Sequence, residues 1–263
     1  SVLELCKKSL PIEKLREKVA EYRKAGRLTE QEAQDTLGTI EALRAQMHET
    51  DLHAAAALPE VAATVWSNLV MYGGLRSGQV VLLHGGGSGI GTHGIQVAKA
   101  FGATVAVTAG SQSKLDFCAS LGADILIDYK NQDFVEVLKD RTGGHGADLI
   151  LDNMGAKYLA RNVDALATEG RLVVIGMQGG TKAELDLAKL LTKRGAVIAT
   201  SLRARPVEGK SAICAGGVEH VWPLVAEGKV RPIVHEVLGL DDVVAAHELM
   251  GSGAHTGKIL LTP

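Results

Sequence analysis

The sequence predicts an α/β fold, a doubly wound parallel sheet preceded by a helical hairpin. Three observations predict it. Beyond residue 51, short continuous apolar runs alternate with helix-length segments, as strands buried on both faces of a parallel sheet do. A glycine-rich loop, His84-Gly85-Gly86-Gly87-Ser88-Gly89-Ile90-Gly91, joins the first such run to a helix. Residues 1–50 hold 18 charges, nine of each sign, and only two of the chain's 31 glycines, so they form a part of different character.

In that first part, Pro11 to Ala25 is predicted helical, with Ile12, Leu15, Val19 and Tyr22 spaced by three and four. Gly26 supplies a C′ stop. Thr29 and Glu32 form a capping box for a second helix, whose apolar face is Ala33, Leu37, Ile40, Leu43 and Met47. Such an αα-hairpin cannot bury both stripes alone. It is either a cap over apolar surface of the main domain or an element for oligomerisation or partner docking.

The second part, 51–263, is read as one cofactor-binding domain. Strand Val80–Leu83 leads through the glycine loop into a helix ending at Phe101. Strand Ala103–Thr108, helix Ser113–Leu121, strand Asp124–Asp128 and helix Gln132–Arg141 follow. Next come strand Ala147–Asp152, helix Lys157–Ala167 and strand Arg171–Ile175. A short helix Asp186–Thr192 precedes strand Ala196–Ala199.

Bulk properties narrow the function. A hydrophobic content of 46% supplies a core, and with 3% aromatics the packing falls to Val, Ala, Leu and Ile. A net charge of −2 gives no reason to expect nucleic acid or an anionic membrane. No apolar run approaches the roughly 20 residues that span a bilayer, and the charged N-terminus is unlike a secretory signal. Cys6, Cys118 and Cys214 are odd in number and far apart, which suggests neither a disulfide framework nor a zinc site. The expected compartment is the cytoplasm, and no metal is expected.

The loop between strand and helix carries the chemistry. Its glycines let a diphosphate approach the backbone amides, and the helix N-terminus offers free N–H groups and a partial positive charge. This order of elements is that of a Rossmann dinucleotide site. The second strand ends Thr108-Ala109-Gly110-Ser111-Gln112-Ser113-Lys114 without the acid that holds a ribose 2′-hydroxyl in NAD sites. Ser111 as donor and Lys114 as counter-charge would suit a 2′-phosphate, which favours NADPH over NADH. The fourth and fifth strands end in Leu151-Asp152-Asn153-Met154-Gly155 and Ile175-Gly176-Met177-Gln178-Gly179-Gly180. Both segments should face the nicotinamide half, because ligands of open sheets lie beyond the carboxyl ends of the strands. Ordinary turn chemistry is the other reading of these segments. Arg203 and Arg205 would either meet phosphate and ribose edges or lie solvated at the surface.

These segments resemble a known family. Ala55-Ala56-Ala57-Leu58-Pro59-Glu60-Val61, Thr64-Val65-Trp66, the loop 84–91, Thr108-Ala109-Gly110-Ser111 and Leu121-Gly122-Ala123-Asp124 carry the resemblance. So do Gly176-Met177-Gln178-Gly179-Gly180, Leu202-Arg203-Ala204-Arg205-Pro206 and Thr256-Gly257-Lys258-Ile259-Leu260-Leu261. Residues from about Ala54 onward are similar to the zinc-independent quinone oxidoreductases related to zeta-crystallin, within the medium-chain dehydrogenase/reductase superfamily.

The resemblance implies NADPH-dependent hydride transfer to a quinone or a related electron-poor carbonyl or alkene such as an enone. It implies that Ser88, Gly89, Ile90 and Gly91 hold the diphosphate, and that Gly110, Ser111, Lys114 and Tyr129 surround the 2′-phosphate. Thr64, Asn153, Gly176, Met177, Gln178 and Leu202 would line the nicotinamide half, with Arg203 and Arg205 nearby. It further implies a homo-oligomer joined through the strand near Ala196–Ala199. No catalytic residue is assigned, and the proton is expected from solvent. His84, His93 and Asp152 are expected to play loop or helix-face roles.

One departure from the family is large. Its members carry a GroES-like catalytic domain ahead of the Ala-Ala-Leu-Pro segment, where this sequence has only a short helical segment. The closing strand Gly257–Leu261 normally pairs with that domain, so here it is expected to lack its usual partner and leave an open edge. Three functional readings follow: an active reductase, an NADPH-binding module with little turnover, or a folded carrier for a docking hairpin.

Overall fold

The computed structural model describes residues 12–27, 29–31, 33–34 and 52–263. The chain divides into two compact units, Ser1–Leu52 and His53–Pro263. In the first, helix α1 (Ile12–Lys24) ends where Gly26 turns left-handed, at φ +67°. The Arg27 amide then reaches back to the Tyr22 carbonyl at 2.9 Å, as a C′ glycine permits. Arg23 and Glu30 form an exposed ion pair at 2.8 Å. Val19 and Ala33 are buried. Glu32, Leu37, Ile40, Leu43 and Met47, the rest of the expected second helix, lie outside the described residues.

Helix α2 (Leu52–Ala56) starts at the last residue of the first unit, and α3 (Pro59–Val65) and a π-helical stretch, Trp66–Tyr72, follow in the second. The continuous helical run Ala54–Tyr72 is 19 residues long with a hydropathy of 1.2, enough by length and composition to cross a membrane. That differs from the sequence expectation; 56% of the run is buried within the unit, as for a core helix.

Six parallel strands follow: β1 (Val80–His84), β2 (Thr104–Ala109), β3 (Ile125–Asp128), β4 (Ala147–Asp152), β5 (Leu166–Val174) and β6 (Ala196–Ala199). They order as β3-β2-β1-β4-β5-β6. The sheet is doubly wound, and the order reverses between β1 and β4, which opens the crevice in which such folds bind ligands. Alternate side chains take opposite faces. Val81, Leu83, Val105, Val107, Leu149 and Leu151 pack on one side with Ile95 and Val97 of α4 (Gly89–Ala100) and with Leu115 and Cys118 of α5 (Gln112–Ser120). Leu82, Ala106, Ile150 and Leu172 pack on the other with Phe134 and Leu138 of α6 (Phe134–Arg141).

One boundary differs from the sequence reading. The helix expected over 157–167 is a short 3₁₀ turn, Gly155–Tyr158, followed by α7 (Leu159–Ala165). β5 begins at Leu166 because that residue already pairs with Ala147 at the foot of β4. The register then shifts before Arg171 meets Leu149, with Glu169 left-handed at φ +64° inside the irregularity. Helical periodicity cannot reveal this early capture by a strand far away in sequence.

Beyond β5 come α8 (Leu187–Lys193, just before β6 in sequence), α9 (Val207–His220), α10 (Trp222–Ala226), β7 (Val234–Gly239), α11 (Val243–Ser252) and β8 (Lys258–Thr262). The closing strand has one partner, in a sheet of two strands that leaves its other edge unpaired among the described residues. β8 pairs in parallel with β7, Val237 opposite Leu260 and Leu238 opposite Leu261. No strand is expected over 234–239 from the sequence, although its apolar positions supply what β8 needs.

Candidate cofactor site

β1 delivers the chain to Gly85, which turns at φ +71°. The Gly86 amide donates to the Thr108 carbonyl at 2.9 Å, so the loop is tied to the end of β2. A Cβ on Gly91 would stand 2.4 Å from the Gly85 carbonyl oxygen and 2.6 Å from that of Gly86. Only a glycine there lets α4 start directly on the turn. Ser88 caps the helix, its Oγ accepting from the Gly91 amide at 3.0 Å. The Gly89 and Ile90 amides then have no helical carbonyl to meet, the usual state of a first helical turn.

Leu83, His84, Ser88, Ile90, Gly91, Leu151, Asn153 and Ile175 line a cleft at the carboxyl ends of β1, β4 and β5, about 260 Å³ of empty space running out into solvent. Asn153 is wedged between two glycines. Its Nδ2 is 3.2 Å from where a Gly85 Cβ would lie, and its carbonyl oxygen is 2.8 Å from that position on Gly176. Its Oδ1 is buried and meets no hydrogen-bond partner among the described residues. Such an orphan acceptor in a cleft costs about 1–3 kcal/mol if nothing meets it. The unpaired acceptor, the open amides of α4 and the glycine walls fit a dinucleotide. Beside them the Gln178 amide donates to the Asn153 carbonyl at 3.2 Å. Met177 is 61% exposed at the same rim, and Leu202 packs against the core.

Toward β2, a Gly110 Cβ would fall 2.5 Å from the Tyr129 Oη and 3.2 Å from Cε of Lys130. Ser111 is the N-cap of α5, but its side chain makes no cap bond to a first-turn amide; its Oγ lies 3.2 Å from Ser113 Oγ. Lys114 runs the other way. Its stem lies along Gly87, 3.1 Å from that residue's would-be Cβ, and its Nζ donates to the Gly253 carbonyl at 2.5 Å. Burial lowers its pKa, and the Lys130 charge adds to the shift against an opposing contribution from Cys118.

Thr64 is buried, and its Oγ1 donates to Glu60 at 3.0 Å. The other Glu60 oxygen holds Lys258 at 2.7 Å, and the Lys258 stem lies 2.8 Å from the would-be Cβ of Gly89. Lys258 and Glu60 thus flank the helix start, and neither is among the sequence candidates. The sequence marks Lys258 only as part of a closing strand. Arg203 is exposed. Arg205 is committed elsewhere: its Nη1 donates to the Tyr72 hydroxyl at 2.5 Å, and the guanidinium sits 4.8 Å over that ring. Tyr72 closes the π-helical stretch, and its carbonyl accepts from Arg171 within β5.

The ionisable groups nearest the cleft are structural. His84 meets Thr108 Oγ1 at 3.1 Å and Asn162 Oδ1 at 2.7 Å, edge-on to Phe134 and Tyr158. Burial lowers its pKa to about 4, so it is neutral at pH 7. Asp152 accepts from the Met154 and Gly155 amides at 2.8 and 2.9 Å, fixing the turn after β4, and burial raises its pKa. His93 is only 3% exposed, and neither ring nitrogen finds a partner among the described residues. Among those residues no group of three His, Cys, Asp or Glu is placed to hold a metal ion.

Comparison with known proteins agrees with this geometry. Residues 89–213 match the zinc-binding dehydrogenase family. One of the phenolphthiocerol/phthiocerol polyketide synthase proteins of Mycobacterium tuberculosis is 31% identical over 231 residues, 86% of this chain and 10% of that one. An NAD-dependent alcohol dehydrogenase of known structure is 32% identical with a TM-score of 0.73, over 82% of this chain and 60% of that one. The Escherichia coli quinone oxidoreductase complexed with NADPH is 28% identical with a TM-score of 0.73, over 81% and 66%. The chain therefore spans less than two thirds of each of these relatives. The family match and both solved structures are those of oxidoreductases of the medium-chain dehydrogenase/reductase superfamily.

Proposed function

We propose that the chain binds NADPH in the crevice between β1 and β4 and directs its hydride to a quinone or a related electron-poor carbonyl or alkene. The observation that carries this reading is the orphan Oδ1 of Asn153, a residue whose Nδ2 lies by Gly85 and whose backbone carbonyl lies by Gly176. When bound, NADPH supplies the hydride from its nicotinamide ring, so the chain's own task is to bind, orient and exclude water.

In this reading the Gly89 and Ile90 amides hold the diphosphate, aided by the α4 dipole. Ser88 acts through its cap, which keeps those amides aimed outward. Gly110, Ser111 and Tyr129 receive the adenosine end. Asn153 fixes the nicotinamide half, with Gly176, Met177, Gln178 and Leu202 along the rim and Thr64 reaching it through the Glu60–Lys258 pair. The proton comes from solvent, since His84 and Asp152 are tied into the loop and turn. The absence of an acid at the end of β2 favours NADPH over NADH.

A second reading is an NADPH-binding module with little turnover, and the exposure of the cleft to solvent favours it. Positioning of substrate supplies several kcal/mol of catalysis, and the cleft runs out into solvent. One experiment separates the two. NADPH fluorescence reports binding, and loss of its absorbance with a panel of quinones and enones reports turnover. Oxidation above background is expected. Saturable binding without oxidation would replace the first reading by the second, and no binding would remove both.

A further inference from the structure

We propose that His84, held as its Nε2–H tautomer between Thr108 and Asn162, is a positioning residue that ties the two walls of the cofactor crevice together and so sets where Asn153 stands against the nicotinamide half. The proposal rests on the cofactor reading above and adds to it a buried part that touches no ligand.

Four polar side chains from four elements meet beneath the crevice. His84 ends β1, Thr108 lies opposite it on β2, Asp152 ends β4 and Asn162 comes from α7. None is more than 5% exposed. Buried polar groups persist where they find one another. The Asn162 amide fixes the direction of the bonds. It favours the charged form of Asp152, as an N–H does and a carbonyl does not. Its Nδ2 therefore faces Asp152, although it acts from beyond hydrogen-bond distance. Its Oδ1 then faces His84 and accepts from Nε2 at 2.7 Å. A neutral imidazole carries one N–H, so Nδ1 is bare and accepts from Thr108 Oγ1 at 3.1 Å. The same hydroxyl oxygen accepts from the Gly85 amide at 3.2 Å. At the far end Asp152 accepts from the Met154 and Gly155 amides. The chain of contacts thus runs from the turn after β1, through the ring, to the turn that carries Asn153. Phe134 and Tyr158 stand edge-on to the ring at 4.9 and 5.0 Å and keep it from exchanging its two nitrogens by turning over.

On its outer side the glycine loop is fastened differently. The strap 253–257 crosses it there, the Gly257 amide donating to the Gly87 carbonyl at 2.9 Å and Lys114 to the Gly253 carbonyl. That grip falls on Gly87, toward the diphosphate. The His84 chain grips Gly85, whose missing Cβ would stand 3.2 Å from Asn153 Nδ2. Loosening the inner grip should therefore cost the nicotinamide half more than the adenosine half.

Calorimetric titration of the full chain with NADPH and with 2′-phospho-ADP-ribose, which lacks the nicotinamide, tests this. Thr108→Val removes the hydroxyl at nearly constant shape and leaves His84 Nδ1 and the Gly85 amide unpaired. It is expected to weaken NADPH about tenfold and the fragment less than about twofold. Thr108→Ser keeps the hydroxyl and is expected to restore both affinities. The ¹⁵N spectrum of the wild-type His84 ring is expected to show a protonated Nε2 and a bare Nδ1 at pH 7, a readout that needs no variant to fold. Equal weakening of the two ligands in Thr108→Val, no weakening, a serine variant as weak as the valine one, or an Nδ1–H ring would overturn the proposal. A wild-type chain that binds both ligands with the same affinity would overturn it and leave the dinucleotide site standing; one that binds neither would overturn the cofactor reading and this proposal with it.

Discussion

Gly91→Ala is expected to abolish NADPH binding and to destabilise the second unit by roughly 3 kcal/mol or more. The added methyl would meet the Gly85 and Gly86 carbonyl oxygens at 2.4 and 2.6 Å. Both are backbone atoms in a turn tied to β2 through Thr108, so they cannot swing aside as a side chain would. The helix must lift off the turn, and the Ser88 cap on the Gly91 amide goes with it. Gly89→Ala is the control, because its Cβ would meet only the flexible Lys258 stem. Urea midpoints combined with NADPH titration measure both effects. Equal midpoints for the two variants would show that α4 does not need a glycine at position 91 to start on the turn.

Acid is expected to destabilise the same unit through two histidines. Burial lowers both His84 and His93 to about 4, His93 with a further push from the Lys258 charge. The unfolded chain regains an ordinary value near 6.5 and so binds more protons between those limits. The stabilising contribution is therefore complete above pH 6.5 and is lost as pH falls toward 4, about 3 kcal/mol for each ring. The two are separable. His84 has its partners in Thr108 and Asn162, so His84→Leu should lower stability at pH 7. The His93 ring has none among the described residues, so His93→Leu should raise stability by about 1 kcal/mol and flatten the acid slope. Urea unfolding at pH 7 and pH 4.5 checks this; a slope unchanged in His93→Leu would refute the assignment.

What is legible in the sequence is local. The strands read clearly because Val80–Leu83 and Leu149–Leu151 are continuous apolar runs, buried on both faces. The glycine loop reads clearly because strand, turn and helix are contiguous. What is not legible depends on residues far apart. Arg205 is captured by Tyr72, Lys114 by Gly253 and Lys258 by Glu60, each pair more than a hundred positions apart. Lys114 carries the expected charge at the expected helix turn, yet its stem finds the apolar side of the loop. Lys130 sits one residue after Tyr129 and gives no signal of its own, because only the fold brings the end of β3 onto Gly110. β5 starts early for the same reason, its first residue being claimed by β4.

The strap across the glycine loop gives the site a place in time as well as in space. The sheet joins residues no more than 68 positions apart, the widest being Val81 and Leu149 of β1 and β4. The Gly257–Gly87 bond, by contrast, spans 170 positions, and the Lys114 and Lys258 contacts close loops of similar reach. Long loops close late and at an entropic cost. We therefore expect the sheet to assemble before the cofactor loop is fastened, so that an unfastened form precedes the binding-competent one. Refolding followed in parallel by far-ultraviolet dichroism and by capture of NADPH should show the second signal lagging the first, and coincident traces would rule this out.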